Sequence, residues 1–328
     1  MLQLSLPSLQ PQLLHPQARL LWKRCANAPV GMDGAQAVVI GEKAYMGGEF
    51  TEEIEDSYHV FQYNTSLNEW SCLPKHRVHR FAMTQFMGRL ITVGGEGAVG
   101  GVDITGKVYC FKEESQEWEE FVKPMPTARF YLSAATTQSA IIASGGVTGV
   151  RDGNNVVCAT VEVYCSETSQ WYTADPLPAP YALMSSVTIA GTCYLLGGSD
   201  ADINPAAIVL YASLTSLIQK ATSPTHQSAS HTSVWKTLPD TPLKESATAS
   251  LSGSLLAVGG HDTKTAFPAI NVFFPLTNSW VRIMTGDLPQ SRYCCTAVQL
   301  SSNTMIVIGG YDNQYNKTKT VFIGTVTV

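Results

Sequence analysis

Hydrophobic positions along this chain fall into short runs of β type that recur in one order. In Met83–Gly95 two apolar runs are joined by a short turn and end in Gly94-Gly95, and Ser254–Gly260 closes in the same way on Gly259-Gly260. Short apolar runs rich in β-branched and aromatic residues, bounded by turn residues, read as strands. A loop follows each pair, then a third run with an aromatic residue, then a fourth run carrying a tryptophan seven residues later, as in Tyr63/Trp70, Phe111/Trp118, Tyr164/Trp171 and Phe273/Trp280. The pattern therefore predicts units of four strands.

Six diglycines mark the units, at Gly47-Gly48, Gly94-Gly95, Gly145-Gly146, Gly197-Gly198, Gly259-Gly260 and Gly309-Gly310, with spacings of 47, 51, 52, 62 and 50 residues. Six tryptophans alternate with them: Trp22, Trp70, Trp118, Trp171, Trp235 and Trp280. A four-stranded unit repeated at about 50 residues is the signature of a propeller blade. The expected fold is an all-β, six-bladed β-propeller. Its glycines and tryptophans are expected to be scaffold, since glycine admits close backbone contact and indole rings fill space between blades.

The two ends fit one ring. After Gly310 only 18 residues remain, whereas the uninterrupted blades place Trp 20 to 25 residues after the second Gly. Trp22 stands 25 residues before Gly47 with no diglycine ahead of it. The N-terminal strand, Leu20–Ala26, is thus expected to complete the last blade and leave no open sheet edge. The domain reading is a tail over 1–19 and a propeller over 20–328. Trp235 stands 37 residues after Gly198, and the surplus, 215–233, is rich in Ser, Thr and Ala. It is expected to be a flexible loop insertion in blade four.

The Gly-Gly, the later aromatic, the Trp and the following Leu-Pro or Met-Pro resemble the kelch repeat over nearly the whole chain. Kelch-like proteins that act as substrate adaptors hold acidic peptides with arginines in the loops entering each blade and with Tyr or Ser just after the Gly-Gly. Carried onto this sequence, the resemblance implies partner-binding residues Arg80, Arg129, Arg292 and Tyr181 in the first loop set, and Tyr311, His261 and Ser199 in the second. Glu49 and Glu96 occupy two of the post-diglycine positions and would repel an acidic ligand. Each arginine has two open roles, bonding carbonyls of a neighbouring blade or holding a partner's carboxylates.

Composition narrows the function. A net charge of −5 gives no electrostatic footprint for nucleic acid. No apolar run approaches the length that spans a bilayer, and Pro7, Pro11 and Pro16 break the opening segment. The eight cysteines lack metal-type spacing and sit mostly in apolar runs, which suggests free thiols and a cytoplasmic, reducing setting. His76-Lys-Arg-His79 reads as an exposed basic loop, and Glu52, Asp56 and His59 as a solvated one. No catalytic motif or cofactor cradle is expected. The resulting expectation is a protein-interaction platform, and the resemblance to kelch-like adaptors implies the recognition module of a ubiquitin-ligase adaptor whose assembly domain lies elsewhere. The alternative is a kelch-fold enzyme or carbohydrate binder of sialic-acid mutarotase type.

Overall fold

The computed structural model describes residues 14–15, 17–48, 58–98, 102–223 and 232–327. Each repeat folds as a four-stranded antiparallel sheet, and the sheets stand radially around one axis. Strand β1 (Arg19–Arg24) opens the chain. Blade one is β2 (Gln36–Ile40), β3 (Lys43–Gly47), β4 (Val60–Asn64) and β5 (Glu69–Cys72). Blade two is β6 (Ala82–Phe86) and β7 (Arg89–Val93), a hairpin of β8 (Glu96–Ala98) and β9 (Val102–Ile104), then β10 (Val108–Lys112) and β11 (Glu117–Val122). Blade three repeats that plan with β12 (Ser133–Thr136), β13 (Ala140–Ser144), the hairpin β14 (Val147–Arg151) and β15 (Asn154–Val157), β16 (Val161–Cys165) and β17 (Gln170–Thr173).

Blade four is β18 (Ser185–Ile189), β19 (Thr192–Leu196), β20 (Val209–Ser213), a helix α1 (Leu214–Thr222) and β21 (Lys236–Leu238). Blade five is β22 (Ala247–Leu251), β23 (Ser254–Val258), β24 (Ile270–Phe274) and β25 (Ser279–Arg282). Blade six is β26 (Thr296–Ser301), β27 (Thr304–Ile308) and β28 (Val321–Thr327), completed by β1, whose Trp22 pairs with Gly324. The closure expected from the unpaired tryptophan strand is therefore the one observed. The first strands β2, β6, β12, β18, β22 and β26 touch in sequence and close a ring around the channel. The core lies between neighbouring sheets, where alternating apolar residues of both faces meet.

The tryptophans tie the blades together in a single way. Each indole N–H donates to a carbonyl in the loop leaving the Trp strand of the preceding blade: Trp70 to Ala26, Trp118 to Pro74, Trp171 to Lys123, Trp235 to Asp175, Trp280 to Pro239 and Trp22 to Gly286. These distances run from 2.7 to 3.0 Å, ordinary for N–H···O bonds. An indole that fills an inter-blade gap must place its one donor, and the neighbouring blade supplies the acceptor. At the diglycines the requirement is steric: Gly94 has φ +68, and a Cβ there would collide with the Arg129 carbonyl oxygen.

Two expectations about the periphery change. The insertion of blade four is not loop throughout: Ser213 caps α1, and Leu214 and Leu217 are buried. Their apolar side chains join the core cluster shared by blades three and four, with Ile218 and Ala221 packed against it. Residues 224–231 of the insertion lie outside the described ones. The boundary at 19 also moves, because the Leu14 N–H donates to Ser254 Oγ at 2.8 Å and its side chain is buried in the core of blades five and six. Residues 1–13 lie outside the described ones.

Candidate functional site at the channel mouth

One end of the channel is shaped by the loops entering each blade and those following each diglycine. In blades two to six the two loops pair through a single antiparallel bridge: His79 with Glu96, Phe130 with Val147, Ala182 with Ser199, Lys244 with His261, and Tyr293 with Tyr311. The next residue in each entering loop turns left-handed, giving a ring of Gly34, Arg80, Tyr131, Leu183, Glu245 and Cys294 with φ between +49 and +62. Five of these carry side chains, a conformation that costs about 1–3 kcal/mol each and persists only where surroundings impose it. The imposing contacts run from blade to blade: Tyr131 N–H donates to Arg80 O, Leu183 to Tyr131, Cys294 to Glu245 and Gly34 to Cys294, at 2.8 to 3.0 Å.

This register corrects the expected set of arginines. Residues two before the ring positions are Met32, Val78, Arg129, Tyr181, Leu243 and Arg292, so Arg129, Tyr181 and Arg292 are equivalent while Arg80 is displaced from them by two. Arg129 and Arg292 are fully buried, at 0% exposure. Arg129 donates to Thr160 O at 2.8 Å and to Glu162 Oε2 at 3.1 Å, while its carbonyl accepts from Gly95 of the preceding blade. Arg292 donates to Gly309 O at 3.0 Å and to Thr320 Oγ1 at 2.9 Å, and its carbonyl accepts from Gly260. Both bridge two blades and offer no guanidinium face to a ligand. Arg80 is nearer the surface, but it is ion-paired with buried Glu96 and lies 4.8 Å from the centre of the Tyr131 ring. Tyr181 is half-buried, and its carbonyl accepts from Gly146.

Three other expected residues do meet at the mouth. Ser199 and Tyr311 line a cavity of about 400 Å³ over the channel, walled by the inner strands of blades four, five, six and one. His261 lines an adjoining cavity of about 240 Å³, which shares Glu245 and Tyr293 with the first. His261 Nε2 lies 3.0 Å from Glu245 Oε2, and Cys294 Sγ donates to the same oxygen at 3.2 Å. Tyr293 and Tyr311 stack with ring centres 5.3 Å apart. Burial, helped by Cys294 and Glu245, pushes the Tyr293 hydroxyl up to about 12, so it stays protonated. Burial and then Glu245 raise the Cys294 thiol well above its usual range.

The expected basic loop at His76-Lys-Arg-His79 is also not exposed as a whole, because both histidines are buried. His76 lies against Phe81, Tyr109 and Trp118, accepts the Val78 N–H at 3.1 Å and sits 3.0 Å from Thr92 Oγ1. Burial lowers it to about 3 and lowers His79 to about 4. Glu49, Glu52 and Asp56 lie outside the described residues. Among the described residues, no helix is long and apolar enough to cross a membrane.

Comparison with known proteins places this geometry in a family context. No family profile matches the chain. The chain is similar to kelch-like protein terF of Aspergillus terreus, at 27% identity over 207 residues, 60% of this chain and 43% of that protein. It is also similar to kelch-like protein 38 of Rattus norvegicus, at 23% over 210 residues, 63% of this chain and 33% of that protein. Beta-scruin of Limulus polyphemus matches at 26% over 186 residues, 54% of this chain and 20% of that protein. The alignments thus span less than half the length of these relatives. The chain is a kelch-repeat β-propeller. The solved structure of YjhT shares the fold, with TM-score 0.71 and 13% identity over 93% of this kelch propeller and 99% of that chain.

What residue patterns missed at the mouth of this kelch propeller are the acidic and hydroxyl groups: Asp33, Glu245, Thr248 and Tyr131. The available signal is positional. Counting two residues on from Arg129 or Arg292 reaches Tyr131 and Cys294, and the same count in blade five reaches Glu245.

Proposed function

We propose that this propeller is a platform that docks a segment of a partner protein over the channel mouth, on the face that carries the diglycine loops. The supporting observation is the 400 Å³ cavity itself, floored by small residues such as Ser185, Ala247 and Ala297 and rimmed by tyrosines. Concave sites with a few placed polar groups are the usual binding places of a fold, and here loops on a rigid ring supply them. The face is also uneven. The hairpins β8–β9 and β14–β15 of blades two and three touch each other, whereas blades four to six have loops tied down by Asp200, Asp262 and Asp312. Val150, Val156, Leu183, Ile203 and Tyr315 are exposed apolar side chains of this face. Such an uneven rim suits an extended segment entering from one side.

The kelch-like relatives support protein binding, and recognition for a ubiquitin-ligase adaptor in the cytoplasm is the finer form of this proposal. The eight free cysteines suit that compartment. An acidic ligand held by Arg129 and Arg292 is not part of it, since those guanidinium groups are spent inside the fold. The test takes a partner isolated with the intact chain and compares Tyr311→Ala at the mouth with Leu276→Ala, in the β24–β25 turn on the opposite face. Tyr311→Ala is expected to weaken binding about thirtyfold, the scale of an interface anchor. Equal affinity of both variants with the parent would place docking elsewhere.

A further inference from the structure

We propose that the mouth cavity receives the cationic side chain of a lysine or arginine from the docked segment, with Glu245 as its counter-ion beside the Tyr293 and Tyr311 rings. This inference rests on the reading of the mouth as a protein-docking site and assigns the chemistry of its occupant.

The charged residues that line the cavity are Asp33 and Glu245, both acidic. Asp33 is already compensated, with Lys317 Nζ at 2.7 Å from its Oδ1. Arg80, which lies over the lining residue Tyr131, is compensated by Glu96. Glu245 differs. Its hydrogen-bond partners are His261 Nε2 and Cys294 Sγ, both on Oε2. The other ring nitrogen of His261, Nδ1, accepts the Thr263 N–H at 2.9 Å, which leaves Nε2 as the nitrogen that donates to Glu245. The thiol of Cys294 is held protonated by burial and by Glu245 itself. Two donors orient the Glu245 carboxylate, and among the described residues no lysine or arginine forms an ion pair with it.

A second, independent observation lies deeper on the same wall. Thr248, in inner strand β22, is buried and lines the cavity, and its Oγ1 has no hydrogen-bond partner among the described residues. A buried polar group left unmade is costly, so the site is completed by a donor from outside. Ammonium and guanidinium groups bring several donors and no acceptor, which matches a carboxylate and an orphaned hydroxyl oxygen. The rings suit the same guest. Tyrosine faces attract cations, and this mouth uses that attraction twice within its own chain, with Lys317 Nζ 5.9 Å from the Tyr311 ring centre and Arg80 over Tyr131. The stem of a long basic side chain can lie along the apolar wall at Leu183 and Leu196 while its head reaches Glu245.

The experiment selects phage-displayed random dodecapeptides on the intact chain and on Glu245→Gln. The amide keeps an acceptor for His261 and Cys294 but removes the charge, and thermal melting checks that both proteins fold alike. The expected result is enrichment of Lys or Arg at one position, with the selected peptides bound at least about tenfold more weakly by Glu245→Gln. Thr248→Val, which removes only the hydroxyl, is expected to weaken the same peptides severalfold and serves as a separate reading should Glu245→Gln fail to fold. Enrichment of acidic or uncharged anchors, or basic peptides that bind Glu245→Gln as well as the parent, overturns the cationic assignment while the docking site stands. Retention of no peptide counts against the docking site, and the assignment falls with it.

Discussion

The side chains that looked most functional in the sequence are among the most structural in the fold. Arg129 and Arg292 each follow a Pro by three residues, whereas Arg80 follows Pro74 by six. That unequal spacing was the legible warning that Arg80 is out of register, but only the bridges and left-handed ring residues show by how much. Burial cannot be read from an arginine's letter: Glu162, the partner of Arg129, lies 33 positions away on β16. Removing one member of a buried pair strands the other, at a cost of about 3–5 kcal/mol. Arg129→Met is therefore expected to lower stability by about 3 kcal/mol or more in urea denaturation, with partner affinity of the folded fraction unchanged. A loss of binding with unchanged stability would return Arg129 to the site.

His76 makes a second prediction at the same scale. In the folded chain burial holds it neutral down to about pH 3, while an unfolded histidine takes up its proton near 6.5. Between those values the unfolded state binds more protons, so stability is complete above about pH 6.5 and falls as pH is lowered through that window. One unit below 6.5 the loss from His76 is about 1.4 kcal/mol. His79, lowered to about 4, adds to it over a narrower range. The melting temperature should fall from pH 7 to pH 5, and less so in His76→Gln; equal slopes in parent and variant would show that His76 is not the titrating group.

At the level of elements the repeat was legible almost completely, because each blade needs the same glycines at the same close approach and the same indole in the same gap. The helix was not. The Ser, Thr and Ala content of 215–233 concealed Leu214, Leu217, Ile218 and Ala221, spaced i, i+3, i+4 and i+7 behind the cap Ser213. Composition averaged over the insertion erased a periodicity that covers only its first half. Closure by β1 was legible from the ends, and it carries a prediction. Deleting residues 1–24 removes β1, opens the edge of β28 and frees the Leu20 and Leu14 side chains from their core. Aggregation or a drop of many degrees in melting temperature is expected, while deletion of 1–13 leaves melting unchanged. Equal melting of the two truncations would contradict the closure.

For the whole molecule, six similar blades make an uneven binding face. Regular strands and tryptophan bonds build a ring, and the ring holds five non-glycine residues in left-handed turns around its mouth. Two touching hairpins follow the diglycines of blades two and three, three Asp-capped loops follow those of blades four to six, and the cavity walled by blades four, five, six and one collects Glu245, Thr248 and two stacked tyrosines. This asymmetry was illegible in the repeat, whose strength as a signal comes from what the blades share. Site chemistry resides in what each blade does differently.

Docking of a partner protein at this mouth is the proposal on which the other functional statements rest. Site-specific photo-cross-linking tests it most directly, with a photoreactive phenylalanine analogue placed in turn at Leu183 beside the cavity and at Leu276 on the opposite face, both exposed positions. The expected result is a protein adduct from position 183 that disappears in the Tyr311→Ala background, and none from position 276. An adduct from position 276 alone, or one from position 183 that survives Tyr311→Ala undiminished, would contradict it.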